Sequence, residues 1–461
     1  MRSFLRFKKK AVLIMGIGLN EGGAGVVRFF LRRGAEVTAT DLKPASLLKP
    51  TLRAINTYAK KLGIPKHSLR FVLGGHTKAD FRKADLIIKG PGVPDSSPYL
   101  AIARKRDIPI ATDMEIFFAE CQAPIIGVTG SKGKSTTASL IAHILKKAGK
   151  KVVLAGNIGA SCLDTLDLIT PETRVVLELS SWQLEGLQNS KKSPHIAVIT
   201  NVLKEHLNRY SNFTAYAKAK SLVCAFQKED DYCIINKKAD PLRPFLKKIK
   251  SRILFFPDSK KRNIPKVRNS ALEGEHNLEN IWATVLACRR AGIPDRVIKI
   301  GLNSYRGLPG RQERVAIVRG VAYYNDTTAT MPDAAIAALK TLQPKPPASI
   351  ILIAGGTDKK LDFKTLSREI VSTVRVLIFL PGNATDAMKM ELRKIVMTRK
   401  KISVFDARTI GEAVRIACHS ATKGDRVLLS PGAASFGLFQ NEFDRGKQFV
   451  NSVRTLYARA K

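Results

Sequence analysis

Between positions 127 and 137 the chain reads GVTGSKGKSTT, after a short apolar run over 123–126 and before a helical pattern over 138–147. Strand, glycine-bearing loop, Lys-Ser and helix is the order that turns backbone N–H groups and a helix N-terminus toward nucleotide phosphates. In that reading Gly130, Ser131, Lys132, Gly133 and Thr136 line the cradle, Lys134 reaches the outer phosphates, and the Ser135 hydroxyl faces magnesium. Val128 stands where the general G-x-x-x-x-G-K-[ST] pattern has its first glycine. Two further polar groups follow strand-like runs. Glu178 lies in the run over 175–179, and Lys204-Glu205-His206 follows the run over 196–202. Open α/β sheets gather ligand groups at the carboxyl ends of their strands, so three strands would bring the loop, Glu178 and His206 to one crevice. Alone, Glu178 reads either as a paired structural acid or as a metal ligand, and His206 as a structural histidine. Beside a phosphate loop that needs magnesium, both read as metal ligands.

The elements that must position these groups are α/β throughout. Strand-like runs alternate with amphipathic helical stretches, which implies parallel, doubly wound sheets. A Rossmann-like N-terminal domain is expected over 1–111, a central P-loop ATPase domain with a mainly parallel sheet over 112–306, and a C-terminal Rossmann-like doubly wound domain over 307–461. The first opens with a strand over 11–15, Gly16-Ile17-Gly18, a helix through 26–31, and a strand over 36–40 ending in Asp41. Glu21 occupies the third glycine position of the dinucleotide pattern, so this is a phosphate-facing turn near Gly18 more than an NAD fingerprint. The loop Lys89-Gly90-Pro91-Gly92-Val93 reads as a second phosphate-facing loop or as an ordinary turn. In the last region strands are expected over 321–324, 349–353, 374–380, 402–405 and 426–429, with helices over 333–342 and 384–396. The basic stretch 237–268 reads as a surface excursion of the middle domain.

The 461 residues carry 78 Lys+Arg against 38 Asp+Glu, a net charge of +40. That balance favours anionic partners or marks a solvated basic surface. Six scattered cysteines without a C-x-x-C argue for a reducing compartment with neither a disulfide framework nor a zinc site. Basic residues Arg6 to Lys10 precede nine apolar-leaning residues, but no small-x-small cleavage pattern follows, so a buried first strand is the better reading. No apolar run reaches membrane-helix length. A soluble, cytoplasmic protein is expected, with no membrane insertion and no specific nucleic-acid partner.

The ordered series GVTGSKGKSTT (127–137), GNIG (156–159), LELSSWQLE (177–185), TNVLKEHLNRY (200–210), YAKAK (216–220), HNLEN (276–280) and SPGAASFGLF (430–439) resembles the Mur ligase family nearly end to end. The resemblance implies ATP-dependent amide formation through an acyl phosphate, adding D-glutamate to UDP-N-acetylmuramoyl-L-alanine in peptidoglycan precursor synthesis. It implies that Lys134, Glu178, His206 and Lys220 form the catalytic set. Ser135 and Glu178 would hold one magnesium ion, His206 would hold a second, and Lys220 would be carbamylated to supply oxygen ligands. Asn277, Asn280, Arg311 and Asp326 would join the loop in holding ATP. The UDP-substrate would be held by Gly18, Leu19, Asp41, Gly92, Asn157 and Gln183. D-glutamate would be held by Thr330, Lys359, Ser435 and Phe436, where a cation such as Lys359 suits a second carboxylate. A monomer is expected. Gly310 stands where relatives often have a histidine before Arg311, and Thr328 where some have a lysine; the Gly22-Gly23-Ala24-Gly25 insertion is expected to alter the first phosphate turn. Within the class, a sibling ligase or a folylpolyglutamate synthase-like enzyme is the alternative. Outside it stands a P-loop switch or nucleic-acid binder, but Thr77-Lys78-Ala79-Asp80, which matches a guanine-reading pattern, lies upstream of the loop it should follow.

Overall fold

The computed structural model describes residues 7–19, 21–158, 161–203, 209–257, 264–265, 267, 269, 272, 274–358, 361–396, 402–435 and 437–460. Three sheets carry the chain. The first joins β1 (Ala11–Met15), β2 (Glu36–Asp41), β3 (Leu69–Leu73), β4 (Leu86–Lys89) and β5 (Ile110–Ala111) in the order β3-β2-β1-β4-β5, all parallel. The second joins β6 (Ile125–Thr129), β7 (Val152–Gly156), β8 (Arg174–Glu178), β9 (Ile196–Ile199), β10 (Tyr232–Asn236) and β11 (Arg252–Phe256) as β11-β10-β9-β6-β8-β7, again all parallel. The third orders β12 (Glu313–Val318), β13 (Val321–Asn325), β14 (Ile350–Gly355), β15 (Val374–Leu380), β16 (Ser403–Asp406) and β17 (Arg426–Leu429) as β12-β13-β17-β14-β15-β16.

Parallel neighbours need crossovers, and helices on the faces then bury inner strands on both sides. The strand sequences obey this: IIGVT in β6 and IILIAG in β14 are buried at every position. Two strands depart from the sequence reading. β11 pairs in parallel with β10, so part of the 237–268 stretch is the edge of the central sheet rather than an excursion from it. β12 pairs antiparallel with β13, a hairpin ahead of the first strand expected in the last region.

The chain forms two compact units, Met1–Arg268 with Glu275–Ser304, and Asn269–Gly274 with Tyr305–Lys461. The first holds the first two sheets. There the Glu21–Arg32 helix packs on the Cys162–Thr165 helix at close range: a Cβ on Gly25 would lie 2.2 Å from Ser161 Cβ. Around that contact Arg28 and Arg32 grip Asp164 at 2.5 and 2.9 Å, and Arg32 and Arg33 reach Asp167 at 2.6 and 3.0 Å. The Gly22–Gly25 stretch is therefore helical rather than part of the phosphate turn. Gly23 is needed because its Cβ would fall 1.9 Å from the Ile17 carbonyl oxygen. Among the described residues no helix is long and apolar enough to cross a membrane.

Candidate active site

In the first sheet, the strand order reverses between β1 and β4, the place where a parallel α/β sheet opens a crevice. The loops after β1, β2 and β4 carry Gly18, Asp41 and Gly92 there. Gly90 donates its N–H to Met15 O at 2.8 Å, and a Cβ on Gly90 would sit 2.5 Å from Gly16 O, so the two glycine loops lie against each other. Asp41 is buried and accepts N–H bonds from Gly18 and Lys43, both at 2.9 Å. Its carboxylate thus shapes the turn. Gly92 borders open space and Leu19 is exposed.

In the central sheet, the loop between β6 and the Lys134–Lys147 helix needs its glycines for both conformation and room. Gly130 (φ 146°) and Gly133 (φ 85°) lie in the left-handed region. Their Cβ atoms would meet Thr200 Oγ1 at 2.0 Å and Asn280 Oδ1 at 2.2 Å. Neighbouring strands brace the loop. Asn201 clasps Lys132 from both sides, accepting its N–H at 2.8 Å and donating Nδ2 to its carbonyl at 3.1 Å. Thr200 Oγ1 donates to the same carbonyl at 2.6 Å, and Ser131 Oγ pairs with Tyr216 OH at 3.1 Å. Sequence reasoning missed the bracing role of Thr200 and Asn201, although both lie in the TNVLKEH motif that ends β9. Asn280 donates Nδ2 to Asn277 Oδ1 at 3.1 Å and accepts from Thr137 at 3.3 Å, which sets this pair beside the first turn of the helix that follows the loop.

Two lysines converge on that loop, and a buried carboxylate ends the neighbouring strand β8. Lys134 Nζ donates to the carbonyls of Gly130 (2.9 Å) and Ser131 (2.8 Å). Lys220 is only 2 % exposed, donates to Gly130 O at 2.7 Å and lies 4.6 Å over the Tyr216 ring. Lys218, on the same helix, is exposed, so the structure separates two lysines that charge alone could not. At the end of β8, Glu178 is 1 % exposed; its Oε1 accepts from Asn157 Nδ2 at 3.0 Å, while Oε2 is buried without a hydrogen bond. An orphaned carboxylate oxygen in the interior is costly unless a cation satisfies it. Ser135 and Glu178 therefore fit a magnesium ion, which takes one or two protein oxygens and completes its shell from phosphates and water. Gln183 Oε1 accepts from Ser180 N and Oγ at 3.0 and 3.1 Å, capping the Ser181–Glu185 helix, a structural bond that the sequence reading did not include. His206 lies outside the described residues.

The second unit gathers loops at the ends of β13, β14 and β17. Asp326 is buried, accepting from Ser430 Oγ at 2.7 Å and Gln312 N at 3.1 Å; burial pushes its carboxyl up to about 7, with Arg311 pulling the other way. Arg311 itself is exposed. Gly310 and Thr328, the two positions that depart from the family pattern, touch: Thr328 Oγ1 donates to Gly310 O at 2.9 Å, and Gly310 has φ 73° with Thr327 crowding its Cβ position at 2.8 Å. A histidine would fit neither the backbone nor the space. Gly432 N donates to Ala329 O at 2.9 Å, while Thr357 and Ala434 exchange N–H···O bonds at 2.9 and 3.1 Å. These bonds tie the loops of Thr330 and Ser435 together. Lys359 and Phe436 lie outside the described residues.

A braced phosphate loop with two lysines on its carbonyls, next to a strand that ends in an unsatisfied buried carboxylate, is the equipment of an enzyme that works on nucleotide phosphates. Family models agree along the chain: a MurD-like N-terminal domain matches residues 10–112, a Mur ligase middle domain 128–271, and a Mur ligase glutamate ligase domain 310–432. The UDP-N-acetylmuramoylalanine–D-glutamate ligase of Roseiflexus sp. is 38 % identical over 97 % of this chain and 98 % of its own. The enzyme of the same name from Borreliella burgdorferi is 37 % identical over 96 % and 97 %. Among solved structures, the UDP-N-acetylmuramate–alanine ligase of Thermotoga maritima covers 97 % of this chain and 99 % of its own, with a TM-score of 0.62 and 18 % identity. The chain belongs to the Mur ligase family. Escherichia coli FolC shares the fold over 76 % of this chain and 93 % of its own, with a TM-score of 0.56 and 17 % identity.

Proposed function

We propose that the chain joins D-glutamate to UDP-N-acetylmuramoyl-L-alanine with ATP, a step of peptidoglycan precursor assembly. The observation that carries this reading is full-length identity of 38 % to a ligase of that name, together with the groups that converge on the phosphate loop. A carboxylate is a poor electrophile. Its oxygen attacks the γ-phosphorus of ATP, the bond to the β-phosphate oxygen breaks, and ADP leaves with an acyl phosphate formed. The glutamate amine then attacks the acyl carbon, the tetrahedral adduct loses a proton and expels phosphate, and an amide remains. Lys134 and the loop N–H groups orient the γ-phosphoryl group and offset its charge, which is most of what such a transfer needs. Bound magnesium supplies further charge neutralisation; Ser135 and Glu178 would hold one ion, and His206 a second.

Lys220 would become a carbamate as its amine takes up CO2 and loses a proton, turning a buried cation into an oxygen donor beside that metal set. Its burial and its place on Gly130 O support this role. Asn277, Asn280, Arg311 and Asp326 would hold the nucleotide. Gly18, Leu19, Asp41, Gly92, Asn157 and Gln183 would hold the UDP-substrate, and Thr330, Lys359, Ser435 and Phe436 the amino acid. The protein would act as a monomer in domains spanning 1–111, 112–306 and 307–461. Its six unpaired thiols suit the reducing cytoplasm.

Phosphate release measured over a panel of amino acids tests the reading. Turnover should require ATP, the UDP-acceptor and D-glutamate together; turnover with L-alanine, or with glutamate on a folate acceptor, would refute it. Lys220→Ala should lose activity that short carboxylic acids partly restore, whereas full activity would end the carbamate role.

A further inference from the structure

Among the described residues Arg445 is the largest side chain wholly out of water, and no step of the ligase reaction uses it. It projects from the Glu442–Ala460 helix on the stripe that also buries Phe449 and Val453. Its guanidinium holds two loops at once: Nε donates to Thr327 Oγ1 at 3.1 Å, Nη2 to Thr327 O at 2.8 Å, and Nη1 to Ala433 O at 3.2 Å. A third loop backs it, since a Cβ on Gly356 would come 3.6 Å from Nη1. These are the turns after β13, β17 and β14. Its acceptors are thus a hydroxyl and two carbonyls, and the acid whose charge acts on it is its helix neighbour Glu442.

Burying a guanidinium on such partners costs more than burying an apolar chain of equal volume, so packing alone does not account for an arginine here. What the fork gains is geometry. Thr327 and Ala433 lie three and two residues from Thr330 and Ser435, and Thr357 is bonded to Ala434. The charge adds a second effect, a fixed positive potential beneath the loops that would take a dicarboxylic amino acid. Asp326, one residue before Thr327, has its own anchors in Ser430 and Gln312, so the nucleotide side does not depend on the same pin.

We propose that Arg445 is a positioning residue for the incoming amino acid, fixing the loops of Thr330 and Ser435 and biasing them electrostatically toward an acidic substrate. This rests on the ligase reading, which wild-type turnover with D-glutamate tests separately, before any variant is made. The experiment is steady-state phosphate release by the full chain, comparing wild type with Arg445→Met and Thr327→Val. KM for D-glutamate should rise about tenfold to a hundredfold in Arg445→Met, the scale of lost charge-assisted hydrogen bonds. The KM values for ATP and the UDP-acceptor should stay within about twofold, while the thermal midpoint should fall, because Thr327 O and Ala433 O lose their buried donor. Arg445→Lys, which keeps charge without the fork, should recover part of the loss. If Arg445→Met does not fold, Thr327→Val still removes one acceptor and should raise the same KM by a smaller factor. An unchanged D-glutamate KM in the folded variants would overturn the proposal, as would a parallel loss for all three substrates.

Discussion

At the scale of single residues, the site turns on groups whose burial is unfavourable until a ligand arrives. Glu178 Oε2 is the plainest case, an interior carboxylate oxygen with no donor. Glu178→Gln should lower kcat by about a hundredfold to a thousandfold, the range seen when one preorganised charge-stabilising group is lost. The same change should raise the magnesium concentration needed for half-maximal rate and leave the thermal midpoint intact; an unaltered magnesium dependence would argue against a metal role. Asp326 gives a pH signature. Its folded carboxyl titrates at about 7 instead of 3.8, so the fold favours the protonated form. That contribution is complete below the ordinary carboxylate range and is lost as pH rises through about 7. Asp326→Asn should therefore gain a few kcal/mol in stability over wild type at pH 8 relative to pH 5. Thermal melts at the two pH values check this, and an equal difference at both would contradict it. The phosphate loop and Glu178 stand out in the sequence because their residue types follow strand-like runs in a set order, whereas Lys220 is set apart from Lys218 only by the resemblance of its motif to the Mur ligase family. Arg445 does not stand out, because only the register of its helix, with Phe449 and Val453 four and eight residues on, places an arginine on the inward stripe.

At the scale of elements, strands buried on both faces were the easiest to read. β15 and β17 match their expected spans, since an apolar run bounded by polar turns leaves little ambiguity. Edge strands were harder. β11 and β12 each hold an apolar run of four residues, ILFF and VAIV, but most of their positions are exposed or half-buried and charged residues precede the runs, so the pattern of a strand buried on both faces is missing. The glycine stretch 22–25 is helical, and its glycines let the helix approach the turn after β1 at Ile17 and a neighbouring helix at Ser161. Gly25→Ala tests that account. Although alanine is the better helix former by about 1 kcal/mol, a methyl 2.2 Å from Ser161 must push the helices apart. The thermal midpoint should fall, with a net cost of about 1–2 kcal/mol; a rise would show that the contact yields freely.

At the scale of the whole molecule, the phosphate loop, Glu178 and Lys220 belong to one compact unit, and the loops of Thr330 and Ser435 with Arg445 to the other. The +40 charge belongs to the chain as a whole and accords with polyanionic substrates without identifying them. The central claim is that ATP is consumed to activate a carboxylate, and the fate of that carboxylate's oxygen tests it most directly. Turnover with UDP-N-acetylmuramoyl-L-alanine carrying heavy oxygen in both carboxylate positions, followed by mass analysis of the phosphate and the amide, separates the possibilities. One heavy oxygen should pass into the released phosphate and one should remain in the amide carbonyl. Phosphate free of label, released while amide accumulates, would contradict an acyl phosphate and with it the carboxylate-activating role of the phosphate loop.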